Sequence, residues 1–242
     1  MKISLIIPAY NEEKYIADCL DSVIKHTEGK LHEIIVIDNA SFDRTHEIAK
    51  SVPGVRVVHE SKKGLTRARQ RGLEEATGDF LAYIDADTRM PKDWLKKVES
   101  IYVENSKAVC VSGPYHYYDG SGFMTALMHA CWWLSAPITY RIVGYMVLGG
   151  NFVAKKDALV AMGGFDKNIE FFGEDTNIAR RLSEHGDVIF RMDFFIHSSS
   201  RRFQSEGLIK TNVAYVMNLL WEIIFHKPFS QEYKDVRLDP NK

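Results

Sequence analysis

A chain of 242 residues, 45% of them hydrophobic, can bury a substantial core, and its length fits one α/β domain or such a domain with a small appendage. The 31 Lys and Arg against 32 Asp and Glu leave a formal net charge of -1, which argues against the basic surface that bulk nucleic-acid binding requires. Aromatic content of 12% argues against disorder, and the widely spaced Cys19, Cys110 and Cys131 make neither a disulfide framework nor a zinc pattern, so a reducing compartment is expected.

The first apolar run, Ile3–Ala9, predicts a strand and ends at once in Tyr-Asn-Glu-Glu, which does not read as a signal peptide, so an intracellular protein is expected. Asn11–His26 follows with Ile16, Leu20, Val23 and Ile24 at helical spacing, Asn11 as N-cap and Glu12 and Glu13 in the first turn. Further strands are expected at Ile34–Asp38, Val55–His59 and Phe80–Asp85. Helices are expected at Arg44–Ser51, Leu65–Ala76 and Pro91–Asn105, the last opened by Pro91. Strand and helix alternating through short links predict a doubly wound, mostly parallel sheet with its ligand at the carboxyl ends of the strands. The loops at that rim are Pro8–Glu13, Asp38–Thr45, His59–Gly64 and Asp85–Arg89.

The second half reads differently. Val109–Tyr117 predicts a strand, and Gly120–Tyr140 then runs without Asp, Glu, Lys or Arg but with Trp132, Trp133 and Pro137. A second uncharged run covers Ile142–Ala154, turns are expected at Gly163-Gly164 and Gly173, and a helix at Thr176–Gly186. A strand at Phe194–Ile196 is closed by His197, and Val213, Val216, Met217, Leu220, Trp221 and Ile224 trace one helical face. The domain reading is one catalytic domain over 1–205, with halves of about 1–110 and 111–205, followed by a helical extension over 206–242.

The turn after the first strand, Pro8-Ala9-Tyr10-Asn11-Glu12-Glu13, holds no glycine, so it is not a Rossmann dinucleotide turn, and no Walker-type loop exists elsewhere. A bound nucleotide would therefore need side chains and a metal to hold its phosphates. Asp38 ends a strand, where a carboxylate can accept from a ribose or base or simply cap the following turn. In Asp85-Ala86-Asp87, alternation in an extended segment would point both carboxylates the same way, a donor set suited to Mg²⁺ or Mn²⁺ held partly through substrate phosphates.

Seven segments stand in order: Pro8–Glu13, Ile37–Thr45, Gly64 through Arg69 to Gly72, Gly78-Asp79 leading into Asp85-Ala86-Asp87, Gly149–Val153, Gly163–Asp166 and Gly173-Glu174-Asp175. Across roughly its first 200 residues the chain resembles a family 2 glycosyltransferase of the GT-A fold, inverting and nucleotide-sugar dependent. The resemblance implies that Pro8, Ala9, Tyr10, Glu12 and Asp38 contact the base and ribose of a UDP- or GDP-linked sugar. It implies too that Arg69 approaches the nucleotide and that Asp85, Ala86 and Asp87 form the donor motif, with Asp87 on the metal. Asp175 would be the general base with Glu174 beside it, and His197 either a third metal ligand or a hydrogen-bonded strand-end histidine. Arg67, Gln70 and Asn39 depart from the family's usual residues and leave sugar and base open. Arg201 and Arg202 are read as a phosphate clamp or as solvated charges.

A rival reading, a haloacid-dehalogenase-like phosphatase, is disfavoured because its nucleophile loop opens the chain and Arg89 breaks the pattern. A degenerate binding module is disfavoured by the presence of both Asp87 and Asp175. The acceptor is expected to be a glycan or lipid-linked glycan, with a polyprenyl phosphate as the alternative. Phe123–Tyr140 and the C-terminal stripe suit a membrane interface, a homodimer contact or ordinary core. The expected location is cytoplasmic, with peripheral contact at the inner face of a membrane left open.

Overall fold

The computed structural model describes residues 1–120, 122–169 and 173–207, together with Met217, Trp221 and Phe225. The chain runs through β1 (Ile3–Ala9), α1 (Ile16–Thr27), β2 (Glu33–Asp38), α2 (Thr45–Lys50), β3 (Val55–His59), α3 (Leu65–Glu75), β4 (Phe80–Ile84) and β5 (Thr88–Arg89). It continues with α4 (Trp94–Glu104), β6 (Ala108–Ser112), β7 (Tyr115–Tyr117), α5 (Gly122–Val143), β8 (Asn151–Lys155) and α6 (Lys156–Ala161), and closes with α7 (Glu174–Ser183), β9 (Asp187–Phe190), β10 (Ile196–Ser198) and α8 (Arg201–Glu206). The extension expected over 206–242 lies, apart from Glu206, Gly207 and the three isolated residues, outside the described residues.

Seven strands form the main sheet in the order β3-β2-β1-β4-β8-β6-β9. All neighbours are parallel except β8, which runs antiparallel to both β4 and β6. The doubly wound, mostly parallel α/β fold expected from the alternation is the fold observed. β1 is buried along its whole length, as a strand with helices on both faces must be. Its Ile3, Leu5 and Ile7 join one core cluster, with Trp94 and Val98 of α4, while Ile6 joins the other, with Tyr83, Phe152 and Leu182. Because β2 and β4 lie on either side of β1, the crossovers diverge there and open a crevice at the carboxyl end of β1.

A second sheet, β5-β10-β7, stands beside that crevice. The expected strand Val109–Tyr117 divides between the two sheets at Gly113-Pro114. A Cβ on Gly113 would run into the Phe194 carbonyl, and Pro114 offers its carbonyl to the Ile196 N–H at 3.2 Å. α1 begins at Ile16, not at Asn11, and α4 at Trp94, whose N–H bonds the Pro91 carbonyl at 3.1 Å. The uncharged run becomes α5. Its inner side buries Met128 and Ala136, while Trp133, Leu134 (70% exposed), Ile138 and Ile142 (79% exposed) face outward. No described helix is long and apolar enough to cross a membrane.

Candidate active site

The loops after β1 and β2 are bonded to each other, which explains Asn11. Its backbone takes φ 51, its N–H donates to Ser41 Oγ at 3.1 Å, and its Oδ1 accepts from the Phe42 N–H at 3.0 Å. The Glu12 and Glu13 N–H groups donate to Thr45 Oγ1 (2.7 Å) and Asp43 Oδ2 (3.1 Å), and Glu13 Oε2 accepts from the Arg44 N–H at 3.2 Å. The acidic pair therefore ties two rim loops together. Capping of α1 comes instead from the Glu12 carbonyl, which accepts from Tyr15 and Ile16 at 2.9 Å each.

Within this frame Pro8 and Ala9 are buried at the end of β1. Tyr10 sets its ring edge-on to the exposed Phe42 at 6.2 Å, with the Lys63 ammonium 4.0 Å from its centroid. Asp38 is buried; its Oδ1 accepts from the Ser41 N–H (3.1 Å) and its Oδ2 meets the Nδ1 atoms of His46 (3.1 Å) and His59 (3.3 Å). Burial works to raise the Asp38 carboxyl, but hydrogen bonds from Ser41, His59 and His46 outweigh it and hold it below the usual range. Asp38 is thus a fixed anion at the base of the crevice.

Asp85-Ala86-Asp87 forms a turn. The Thr88 N–H and Oγ1 both donate to the Asp85 carbonyl, at 3.1 and 2.7 Å, and Ala86 is buried. The two carboxylates consequently do not point the same way, as an extended segment would have made them. Asp85 turns toward Gly150, where an added Cβ would collide with Asp85 Oδ2 and stand 2.7 Å from the Tyr115 hydroxyl. Asp87 turns toward Arg201, whose Nε lies 2.9 Å from Asp87 Oδ2.

The second acidic pair opens α7. Gly173 takes the left-handed φ of 83 before the helix, a conformation suited to glycine, and Glu174 and Asp175 fill the first turn without a side-chain cap. Arg69, buried on α3, forms an ion pair with Glu174 and lies 3.8 Å from Asp175 Oδ1. Arg69, which the resemblance places near the nucleotide, is tied in the structure to the acidic pair. Burial pushes the Glu174 carboxyl well above its ordinary range, Arg69 opposes that shift, and neighbouring Asp175 reinforces it. Asp175 Oδ1 is buried and accepts no hydrogen bond among the described residues. A Cβ on Gly149 would strike both Asp175 Oδ1 and the Arg69 guanidinium. One peptide unit, Gly149-Gly150, thus lies between Asp175 and Asp85.

His197 pairs with Arg89 and His116 across the small sheet, and its ring keeps company with His116 and Phe195, centroids 6.2 and 5.4 Å away. Burial, Arg89 and His129 lower its pKa. Among the described residues no group of three His, Cys, Asp or Glu side chains is arranged to hold a metal, so Asp85, Asp87 and His197 are not gathered as one triad. The site also contains groups whose part in it the motifs do not disclose. Tyr115 accepts the Gly150 N–H at 2.8 Å, and Asn151 fixes the start of β8 by bonding Trp94 Nε1 (2.9 Å) and the Phe194 carbonyl (2.9 Å). Tyr115 carries no motif of its own, whereas Asn151 lies in the Gly149–Val153 segment, which by itself assigns it no part.

Asp85 and Asp87 supply carboxylate oxygens, the donor chemistry that Mn²⁺ or Mg²⁺ takes, and Asp85 Oδ2 packs against the Gly150 α-carbon.

Comparisons with known proteins show the family and the fold. The family model described as Glycosyl transferase family 2 matches residues 4–167. The uncharacterized glycosyltransferase YibD of Escherichia coli (strain K12) is 27% identical over 224 residues, spanning 86% of this chain and 60% of that protein, so the chain spans less than two thirds of this relative. Among solved structures, S. aureus TarS 1-349 in complex with UDP-GlcNAc superposes with a TM-score of 0.67 at 21% identity, covering 96% of this chain and 68% of that one. The mannosyltransferase PcManGT from Pyrobaculum calidifontis, in complex with GDP-Man and Mn2+, gives 0.64 at 20% identity, covering 89% and 64%.

Proposed function

The chain belongs to glycosyl transferase family 2, and from that membership we propose that it is an inverting glycosyltransferase that moves a sugar from a nucleoside diphosphate to an acceptor hydroxyl. The observation that carries this reading is the closeness of Asp85 and Asp175 to opposite ends of the Gly149-Gly150 unit. A leaving diphosphate and an attacking hydroxyl need groups on opposite sides of one anomeric carbon, and these two carboxylates pack against successive α-carbons that carry no side chain.

In this reading Tyr10 and Phe42 offer an aromatic wall to the base, and the fixed carboxylate of Asp38 accepts from the ribose or base. Asp85 and Asp87 would hold Mn²⁺ or Mg²⁺, which when bound offsets the negative charge on the departing diphosphate. Asp175 takes the proton from the acceptor oxygen as that oxygen bonds the anomeric carbon and the carbon–diphosphate bond breaks, inverting the centre. Glu174, tied to Arg69, keeps Asp175 aimed. Support for a nucleotide-sugar donor and a divalent cation comes from the UDP-GlcNAc, GDP-Man and Mn2+ complexes of the structural neighbours. The outward apolar side of α5, whose only charged residue is Arg141, favours an acceptor carried on a lipid, a glycan-lipid or a polyprenyl phosphate.

A thermal-shift panel of UDP- and GDP-sugars with and without Mn²⁺ tests the donor half. At about a hundred times its dissociation constant, the true donor stabilises the fold by about 2.7 kcal/mol. A panel without any shift ends the proposal. Co-sedimentation with anionic liposomes tests the lipid half, and indifference to them removes it.

A further inference from the structure

We propose that Arg201 is a stand-in cation: its guanidinium holds Asp87 and yields that carboxylate to the divalent ion only when a diphosphate arrives. The proposal rests on Asp87 being a metal ligand, as set out above.

The guanidinium is held from three sides. Nη1 and Nη2 fork onto Glu12 Oε2 and Oε1 at 2.8 and 2.6 Å, Nε meets Asp87 Oδ2 at 2.9 Å, and the plane lies 4.7 Å from the Tyr15 ring. Side-chain exposure is 19% for Arg201, 12% for Asp87 and 2% for Glu12, so water screens these charges weakly. Nε and the outer edge of the fork are each committed to a carboxylate, a bidentate geometry that an ammonium could not copy. Ser199, two residues before Arg201, donates its N–H to the Asp87 carbonyl at 3.3 Å, and Tyr118 donates its hydroxyl to the same oxygen at 3.3 Å. These bonds fix the segment around Arg201 to the Asp87 turn.

A divalent ion on Asp87 Oδ2 would stand next to a guanidinium of like sign, so the ion and Arg201 compete for that oxygen. A diphosphate resolves the competition. It supplies anionic oxygens that the guanidinium can take in exchange for Asp87, while Glu12 keeps the fork in reach. Binding of ion and nucleotide is thereby coupled through one side chain, and the coupling is reciprocal.

The test measures Mn²⁺ affinity, read by the paramagnetic signal of the free ion, for the wild type and Arg201→Gln with and without UDP or GDP. For the wild type the nucleotide is expected to tighten Mn²⁺ binding by about ten-fold or more; for Arg201→Gln the bare ion is expected to bind about ten-fold tighter than to wild type, shrinking the nucleotide effect. Arg201→Lys, which keeps a charge and loses the fork, should fall between the two and carries the test if Arg201→Gln does not fold by circular dichroism. Equal affinity of wild type and variants for Mn²⁺ alone overturns the stand-in role. Absence of Mn²⁺ binding by every protein, with or without nucleotide, instead overturns the metal reading itself and the stand-in role with it.

Discussion

Arg69 and Glu174 lie 105 residues apart in the chain and meet as an ion pair with side-chain exposures of 2% and 7%. Removing one partner of such a pair strands the other in a low-dielectric interior. Arg69→Met is therefore expected to cost about 3–5 kcal/mol in urea unfolding, and the double change Arg69→Met with Glu174→Gln to recover much of it. Failure of the double variant to recover would show that Arg69 acts through packing alone.

Asp175→Asn keeps the shape of the side chain and removes its basicity. Calorimetric binding of the donor is expected to stay within error while transfer falls by about 10²–10⁴-fold. Undiminished turnover takes Asp175 out of the role assigned to it.

Gly150→Ala puts a methyl group where Asp85 Oδ2 now sits. The fold should survive at a cost of about 1–3 kcal/mol, but the Mn²⁺-dependent part of the donor-induced thermal shift should disappear. Asp87→Ala is expected to erase the same component without the packing cost, and a retained shift in both variants would place the cation elsewhere.

Glu33 offers a measurable pH dependence away from the site. Burial works to raise its carboxyl, but donors on Thr77, Ser4 and Arg56 more than compensate and bring it down to about 2. A folded-state pKa below that of the unfolded chain means the stabilisation is complete above the unfolded value and is lost as pH falls toward 2. Glu33→Gln should accordingly be less stable than wild type by on the order of 1–2 kcal/mol at neutral pH, once partial screening is allowed for. The gap should close between about pH 4 and pH 2 in a series of urea titrations. A gap that does not vary with pH would mean that charge is not what Glu33 contributes.

The first half of the chain was legible because its signals are local. The run from Ile3 to Ala9 is apolar throughout, and a parallel strand covered on both faces needs no alternation to be recognised. The order of the rim loops follows from strand-helix alternation alone. Asn11 misleads because its partners, Ser41 and Phe42, come from another loop, and nothing near Asn11 announces them. The same holds for Arg201, whose fork closes on Glu12 across 189 residues. Asp85-Ala86-Asp87 was recognised as a motif while its shape was not, since the bonds from Thr88 to the Asp85 carbonyl convert an expected strand end into a turn. Residue type was readable; direction, set by distant backbone, was not.

β8 runs against its two neighbours, so β6 leaves the main sheet at the rim by which β8 enters it. Everything between Ser112 and Asn151 is therefore an excursion that departs and returns on one edge, carrying β7 and α5 with it. Such a detour can be exchanged for a longer or shorter one without re-threading any strand of the main sheet. Residues 113–148 are thus one continuous stretch, and replacing it with the same stretch of a relative would test whether the choice of recipient resides there.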